Sequence, residues 1–367
     1  MRKIHTLKAG RQLCFASLLA LLCSACVERQ NDPLLVNSNN LNLAVQNAVD
    51  LTVLRSVNEF ADSSADLYAL STEFCDDTAT ASEQDIVDLQ NQWLNTNNRW
   101  YALAPYHFGP LDADLLNAAY AYIDSLRVNG TNYLATVRSE NASNIDGSST
   151  LNSAFFAAKS FQKVGLLSLE SLLFETADNS HSKSSADILS EYQAKARKCS
   201  VLLGLSEQLK IQAQGIASGW NETFLSTGKS YRTLFLNNEL SDGSNITTLI
   251  SAVQQHLDYL RARNVATTAA SLAGSSYAAI GAALDSIEYL LEGESGSTVS
   301  LLQFIEVAGN ASYVASIRSN MARAQQAASD QDATALNAAL ALLDGNFKRE
   351  VPNGLNVELG LNFTDGD

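Results

Sequence analysis

Glu170 is the residue whose neighbours in the sequence most constrain its chemistry. On a helix, the positions three and four away share its face, and they are Leu166, Leu167, Leu173 and Phe174, all large and apolar. A carboxylate aimed into such a face cannot stay ionised and alone. It must meet a cation, several hydrogen-bond donors or a metal ion, or else take up a proton. A ligand or metal site and a structural ion pair to an arginine of another helix both satisfy that requirement. Ser168 offers a second oxygen within the same turn. Gly165 reads as a helix-interior glycine, which costs about 1 kcal/mol against alanine and implies close approach by a neighbouring helix.

Other groups that could ligate or titrate are sparse. His107 stands beside Phe108-Gly109-Pro110, a loop sequence from which it could reach a site, while His181 and His256 have polar neighbours and read as solvated. Asp285, Glu288 and Glu292 fall on one helical stripe, which is either a cation site or a solvated acidic face. The closing Asp365-Gly366-Asp367 could fold back onto a basic junction or fray. The chain has no His-Glu-x-x-His zinc pair, no Gly-x-Ser-x-Gly elbow and no phosphate-cradling glycine loop. Trp93, Trp100 and Trp220 sit at apolar helical spacing and read as core.

The elements that must position these groups are helices. There are four prolines, none of them between Pro110 and Pro352, so little interrupts long helices. Apolar periodicity predicts helices over 41–75, 82–104 with Ser82 and Asp85 as a capping pair, 113–127, 152–175, 186–224, 246–261, 266–291, 299–328 and 334–343. The segment 166–173 is echoed by 284–291 at a constant offset of 118 residues, with Ser and Glu at matching places. The expected fold is therefore all-α, two packed bundles related by duplication. Residues 41–180 would form the first and 185–350 the second, divided at the hydrophilic stretch 179–185, with a non-helical tail over 351–367.

The N-terminus predicts export. Arg2, Lys3, Lys8 and Arg11 precede an apolar run that ends in Leu22-Cys23-Ser24-Ala25-Cys26. Residues 1–25 read as a signal peptide and Cys26 as the acylated N-terminus, with 26–40 a tether. An ordinary cleaved signal is the alternative. A diacyl anchor holds a soluble body at a membrane, and Val27 rather than Asp after the cysteine points to the outer membrane facing the periplasm. Loss of four positive charges with the signal takes the net charge from −15 to about −19. Such a surface argues against nucleic acid and leaves the lipid anchor as the expected contact with the membrane. Cys75 and Cys199 then remain as one pair in an oxidising compartment, so a disulfide is open to them.

Several segments taken in order are similar to the imelysin family. Gly165-Leu166-Leu167-Ser168-Leu169-Glu170 resembles its Gly-x-His-x-x-Glu helix, and Trp93, Arg99 and Phe108-Gly109-Pro110 resemble its first-half signature. Arg197, Cys199 and Gly219-Trp220 resemble its central helix, and Gly360-Leu361-Asn362-Phe363 with Asp365-Gly366-Asp367 its ending. The resemblance implies paired helical bundles with a site at their junction, in exported and often iron-regulated proteins, one branch of which is described as a metal-dependent peptidase. It places Glu170, Ser168, Trp93, Arg99, His107 and Asp365 as candidates for that site, with Glu170 as the metal ligand and iron or another divalent or trivalent cation as the expected cofactor. Partners would be envelope proteins of iron uptake.

One departure bears on the chemistry. Leu167 stands where the family motif has histidine, and leucine ligates no metal. Catalytic zinc needs about three protein ligands and an open position, so binding is expected ahead of peptidase activity, with a metallopeptidase and a ligand-free interaction scaffold as the other readings.

Overall fold

The computed structural model describes residues 38–113, 118–127, 131–240, 243–294 and 299–358. The signal sequence, Cys26, most of the tether and Asp365 lie outside the described residues. Within them every regular element is helical, and none of the helices is long and apolar enough to cross a membrane.

The first bundle is built on three long helices. Helix α1 (Ser38–Ala48) runs through a π-helical turn, Val49–Val53, into α2 (Leu54–Asp76). Helix α3 (Glu83–Leu103) begins at the Ser82–Asp85 capping box, in which the Asp85 carboxylate accepts the Ser82 amide at 2.7 Å. These bonds hold the Asp85 carboxyl below its usual range. After Pro105 and the Phe108-Gly109-Pro110 turn come three short helices, α4 (Ala119–Ile123), α5 (Leu134–Asp146) and α6 (Ser153–Ala157). They are followed by α7 (Gly165–Phe174), α8 (Ser185–Ala194) and α9 (Ala196–Asn221). Helix α9 packs along α2 and against α6 and α7, so the chain leaves the first bundle after Asn221 and not at 179–185. Cys75 at the end of α2 is bridged to Cys199 at the start of α9, their Cα atoms 5.6 Å apart.

After α10 (Tyr231–Leu236), the second bundle contains α11 (Asn245–Ala262), the one-turn α12 (Val265–Thr268) and α13 (Ser276–Glu292). It closes with α14 (Leu301–Val307), α15 (Ala311–Ser329), α16 (Ala333–Lys348) and α17 (Glu350–Leu355). The helix α17 corrects the expected non-helical tail: Pro352 falls in the first turn, where its missing N–H is not needed. The halves meet chiefly where α3 lies on α13, and one continuous apolar core, including Phe60, Trp100, Leu284 and Ile287, runs through both.

Five predicted helices are shorter or broken. Those expected over 186–224 and 299–328 are interrupted at Lys195 and at 308–310, where Gly309 has positive φ, and the other three also break for local reasons. Of the helix expected over 113–127, residues 114–117 lie outside the described residues; α4 ends at Ile123, where the Asp124 carboxylate takes the Leu126 amide at 3.1 Å and turns the chain. The helix expected over 152–175 stops at Ala157 and restarts at Gly165, whose φ is +78°. The one expected over 266–291 is interrupted at 269–275, where Ala270 and Gly274 both have positive φ.

Candidate functional site

Helix α7 carries Glu170 to the place where the halves touch. Gly165 is its first residue, and a Cβ there would collide with the carbonyl oxygens of Tyr122 and Ile123. The close approach is therefore to the backbone of α4, at a helix start rather than in a helix interior. Trp93 of α3 fixes the other side by donating its indole N–H to the Leu166 carbonyl at 3.2 Å.

The Glu170 side chain is 1% exposed. Its Oε1 accepts the backbone N–H groups of Leu272 at 2.8 Å and Ala273 at 3.0 Å, from the bend between α12 and α13. Among the described residues no arginine reaches it; Lys183 donates to the Leu272 carbonyl at 3.1 Å and lends a more distant positive charge. Burial outweighs the two amide bonds and raises the Glu170 carboxyl to about 7. Its other oxygen, Oε2, accepts no hydrogen bond among the described residues.

Beside Glu170 lies a cavity of about 30 Å³, enough for one or two waters. Trp93, Asn97 and Tyr101, one stripe of α3 at spacings of four, form one wall, and Leu166 and Leu167 form another. Asp124 and Ser125 close a third side, and Thr268 to Ala270 contribute from the second half. Two sealed polar atoms border this space without partners: the amide nitrogen of Asn97, 3% exposed, and the hydroxyl of Ser125, 2% exposed. Asp124 adds a second carboxylate, its Oδ2 accepting Trp100 Nε1 and the Tyr259 hydroxyl, each at 3.3 Å.

Of the candidates that fall among the described residues, Trp93 alone joins Glu170 at this cavity, together with Leu167 from the motif's histidine position. Ser168 is buried and donates to the Asn141 side chain at 3.0 Å. Arg99 pairs with Glu59 at 2.7 Å in a separate groove. His107 meets Gln255 at 3.0 Å in a cleft on α11. His256 is fully buried against Tyr259, which corrects its reading as solvated. The acidic stripe of α13 is an outward face: Gln325 donates to Asp285 at 3.0 Å and Glu288 at 2.8 Å, and Arg318 pairs with Glu292 at 2.6 Å. Among the described residues no three His, Cys, Asp or Glu side chains converge in a way that could hold a metal.

Asn97 and Ser125 were missed by sequence reasoning. Asn97 had one available signal, as the lone amide in an otherwise aromatic stripe; Ser125 had none.

These features define an all-helical, two-bundle protein with a small polar cavity where the bundles meet. The family model described as Imelysin matches residues 53–356, and the chain belongs to the imelysin family. An imelysin-like protein from Psychrobacter arcticum has a similar fold, with a TM-score of 0.70 at 15% identity over 89% of this chain and 98% of that one. So does a protein from Parabacteroides distasonis named as an iron-regulated protein A precursor, with a TM-score of 0.62 at 15% identity over 87% and 96%. At that identity the likeness is one of fold. No curated protein matches the sequence.

Proposed function

We propose that the chain is a lipid-anchored envelope protein that binds a small hard cation, such as a ferric or calcium-like ion, at the junction of its bundles, and that it serves iron uptake rather than catalysis. The observation that carries this is the convergence on one cavity of the buried Glu170 carboxylate with Asn97 and Ser125, the last two each carrying a buried polar atom without a partner. Half a turn of the Asn97 amide presents its oxygen, giving one carboxylate and two neutral oxygens with room for water. That donor set suits a hard cation. A zinc peptidase centre does not fit, because Leu167 occupies the cavity wall where the motif's histidine would stand. The iron-regulated name of the Parabacteroides protein and the N-terminal sequence that reads as an export signal support the setting.

Metal analysis and calorimetry on the mature chain test the reading. One iron or calcium ion per chain is expected, with affinity at least about tenfold weaker in Glu170→Gln. Absence of binding by iron, calcium and zinc alike would remove it. For the anchor, Cys26→Ser should move the protein from the detergent phase to the aqueous phase in a partition assay.

A further inference from the structure

A second polar recess lies between the halves, apart from the Glu170 cavity. It is a cleft of about 410 Å³, within the size range of small-molecule sites. Thr52 and Arg55 border it from the π-turn and α2, Asn98 and Arg99 from α3, and Asp285 and Tyr289 from α13.

The charges of this cleft are sorted. Glu59 uses one oxygen for Arg55 Nε at 2.9 Å and the other for Arg99 Nη1 at 2.7 Å. Each guanidinium has five N–H donors, so the pair keeps a surplus after Glu59 is satisfied. Arg55 also stands over the Tyr289 ring, 5.4 Å from its centroid, which binds the two bundles at this edge. The Thr52 hydroxyl and the Asn98 Oδ1 are sealed behind the wall without partners and do not face the cleft. The acceptor in excess is elsewhere in the wall. Asp285 brings an exposed carboxylate from the facing helix, which accepts from Gln325.

A ligand that matches this wall must carry both signs. A simple anion would use the guanidinium donors but face the Asp285 carboxylate. A simple cation would do the reverse. Two arginines balanced by Glu59 and Asp285 give no net charge to draw either one in. The π-helical turn is a further mark, since such single-turn bulges inside α-helices are frequent at functional sites; here the Leu54 N–H reaches back to the Val49 carbonyl.

We propose that this cleft binds a small zwitterion, a free α-amino acid or a short peptide with unblocked ends. Its carboxylate lies on the Arg55 and Arg99 side, where a guanidinium takes it bidentately. Its ammonium lies against the exposed Asp285 carboxylate on the facing helix.

Calorimetry on the mature, disulfide-bonded chain with L-alanyl-L-alanine, its N-acetyl derivative and its C-terminal amide tests the assignment. The free dipeptide should bind one to one, and each blocked form about tenfold or more weaker. Arg99→Gln and Asp285→Asn should each weaken the dipeptide by a similar factor with unchanged melting temperature, and Glu170→Gln should leave it unmoved. No heat with the dipeptide at about 10 mM, roughly the weak limit of a specific small-ligand site, would overturn the proposal. So would equal binding of the N-acetyl form, which marks a plain anion site, or an affinity unchanged in a folded Arg99→Gln.

Discussion

Glu170 shows how much one buried carboxylate reveals and conceals. Its neighbours in the sequence already require a partner, because an ionised group on an apolar helical face is too costly to leave bare. The partner proved to be two backbone amides about a hundred residues away, and a sequence cannot single these out because almost every residue has an N–H. The consequence is a pH dependence with a definite sign. Between the ordinary glutamate pKa of about 4.3 and the folded value of about 7, the folded state holds a proton that the unfolded chain has released. Stability therefore falls as pH rises through that window and levels off above it, by an amount on the order of 3 kcal/mol. Glu170→Gln keeps an oxygen for both amides and removes the titration. Urea unfolding should find it close to the parent at pH 5 and more stable at pH 8. A gap between the two proteins that stays constant across this range would refute the account.

At the scale of elements, the periodic apolar pattern located most of the long helices, and the capping pair at Ser82 and Asp85 marked a start that the structure has at the same place. The pattern was silent about where helices break, since periodicity reports which face is buried and not whether the backbone continues. The start of α7 is the instructive case. Gly165 looked like a tolerated interior glycine, but its φ of +78° and its contact with the Tyr122 and Ile123 carbonyls make it the pivot that aims Glu170 at the second bundle. Gly165→Ala should cost about 2–4 kcal/mol, combining left-handed strain with a steric clash against backbone that cannot move aside. Chemical denaturation measures this, and a loss under about 1 kcal/mol, the ordinary Gly-to-Ala scale, would show that α4 yields instead.

For the whole molecule, the covalent and noncovalent links between distant segments set the architecture. The Cys75–Cys199 bridge closes a loop of 124 residues and ties α2 to α9 inside the first bundle. Chain-entropy reasoning gives it about 5 kcal/mol, with 2–5 kcal/mol the usual measured cost of removing such a bond. The double variant Cys75→Ser/Cys199→Ser should lose stability in that range by guanidinium denaturation, and an unchanged midpoint would mean that the bridge adds nothing to stability. By itself the sequence determined an all-helical chain, the face each long helix buries, the family motifs and the demand of Glu170 for company, because all of these follow from spacing along one strand of residues. Only the tertiary structure decided that α9 belongs to the first bundle, that Arg99 and His107 lie away from Glu170, and that Asn97, Ser125 and the amides of Leu272 and Ala273 surround it. These are outcomes of how helices stack across long chain separations, where many side chains are equally able to meet and packing selects among them.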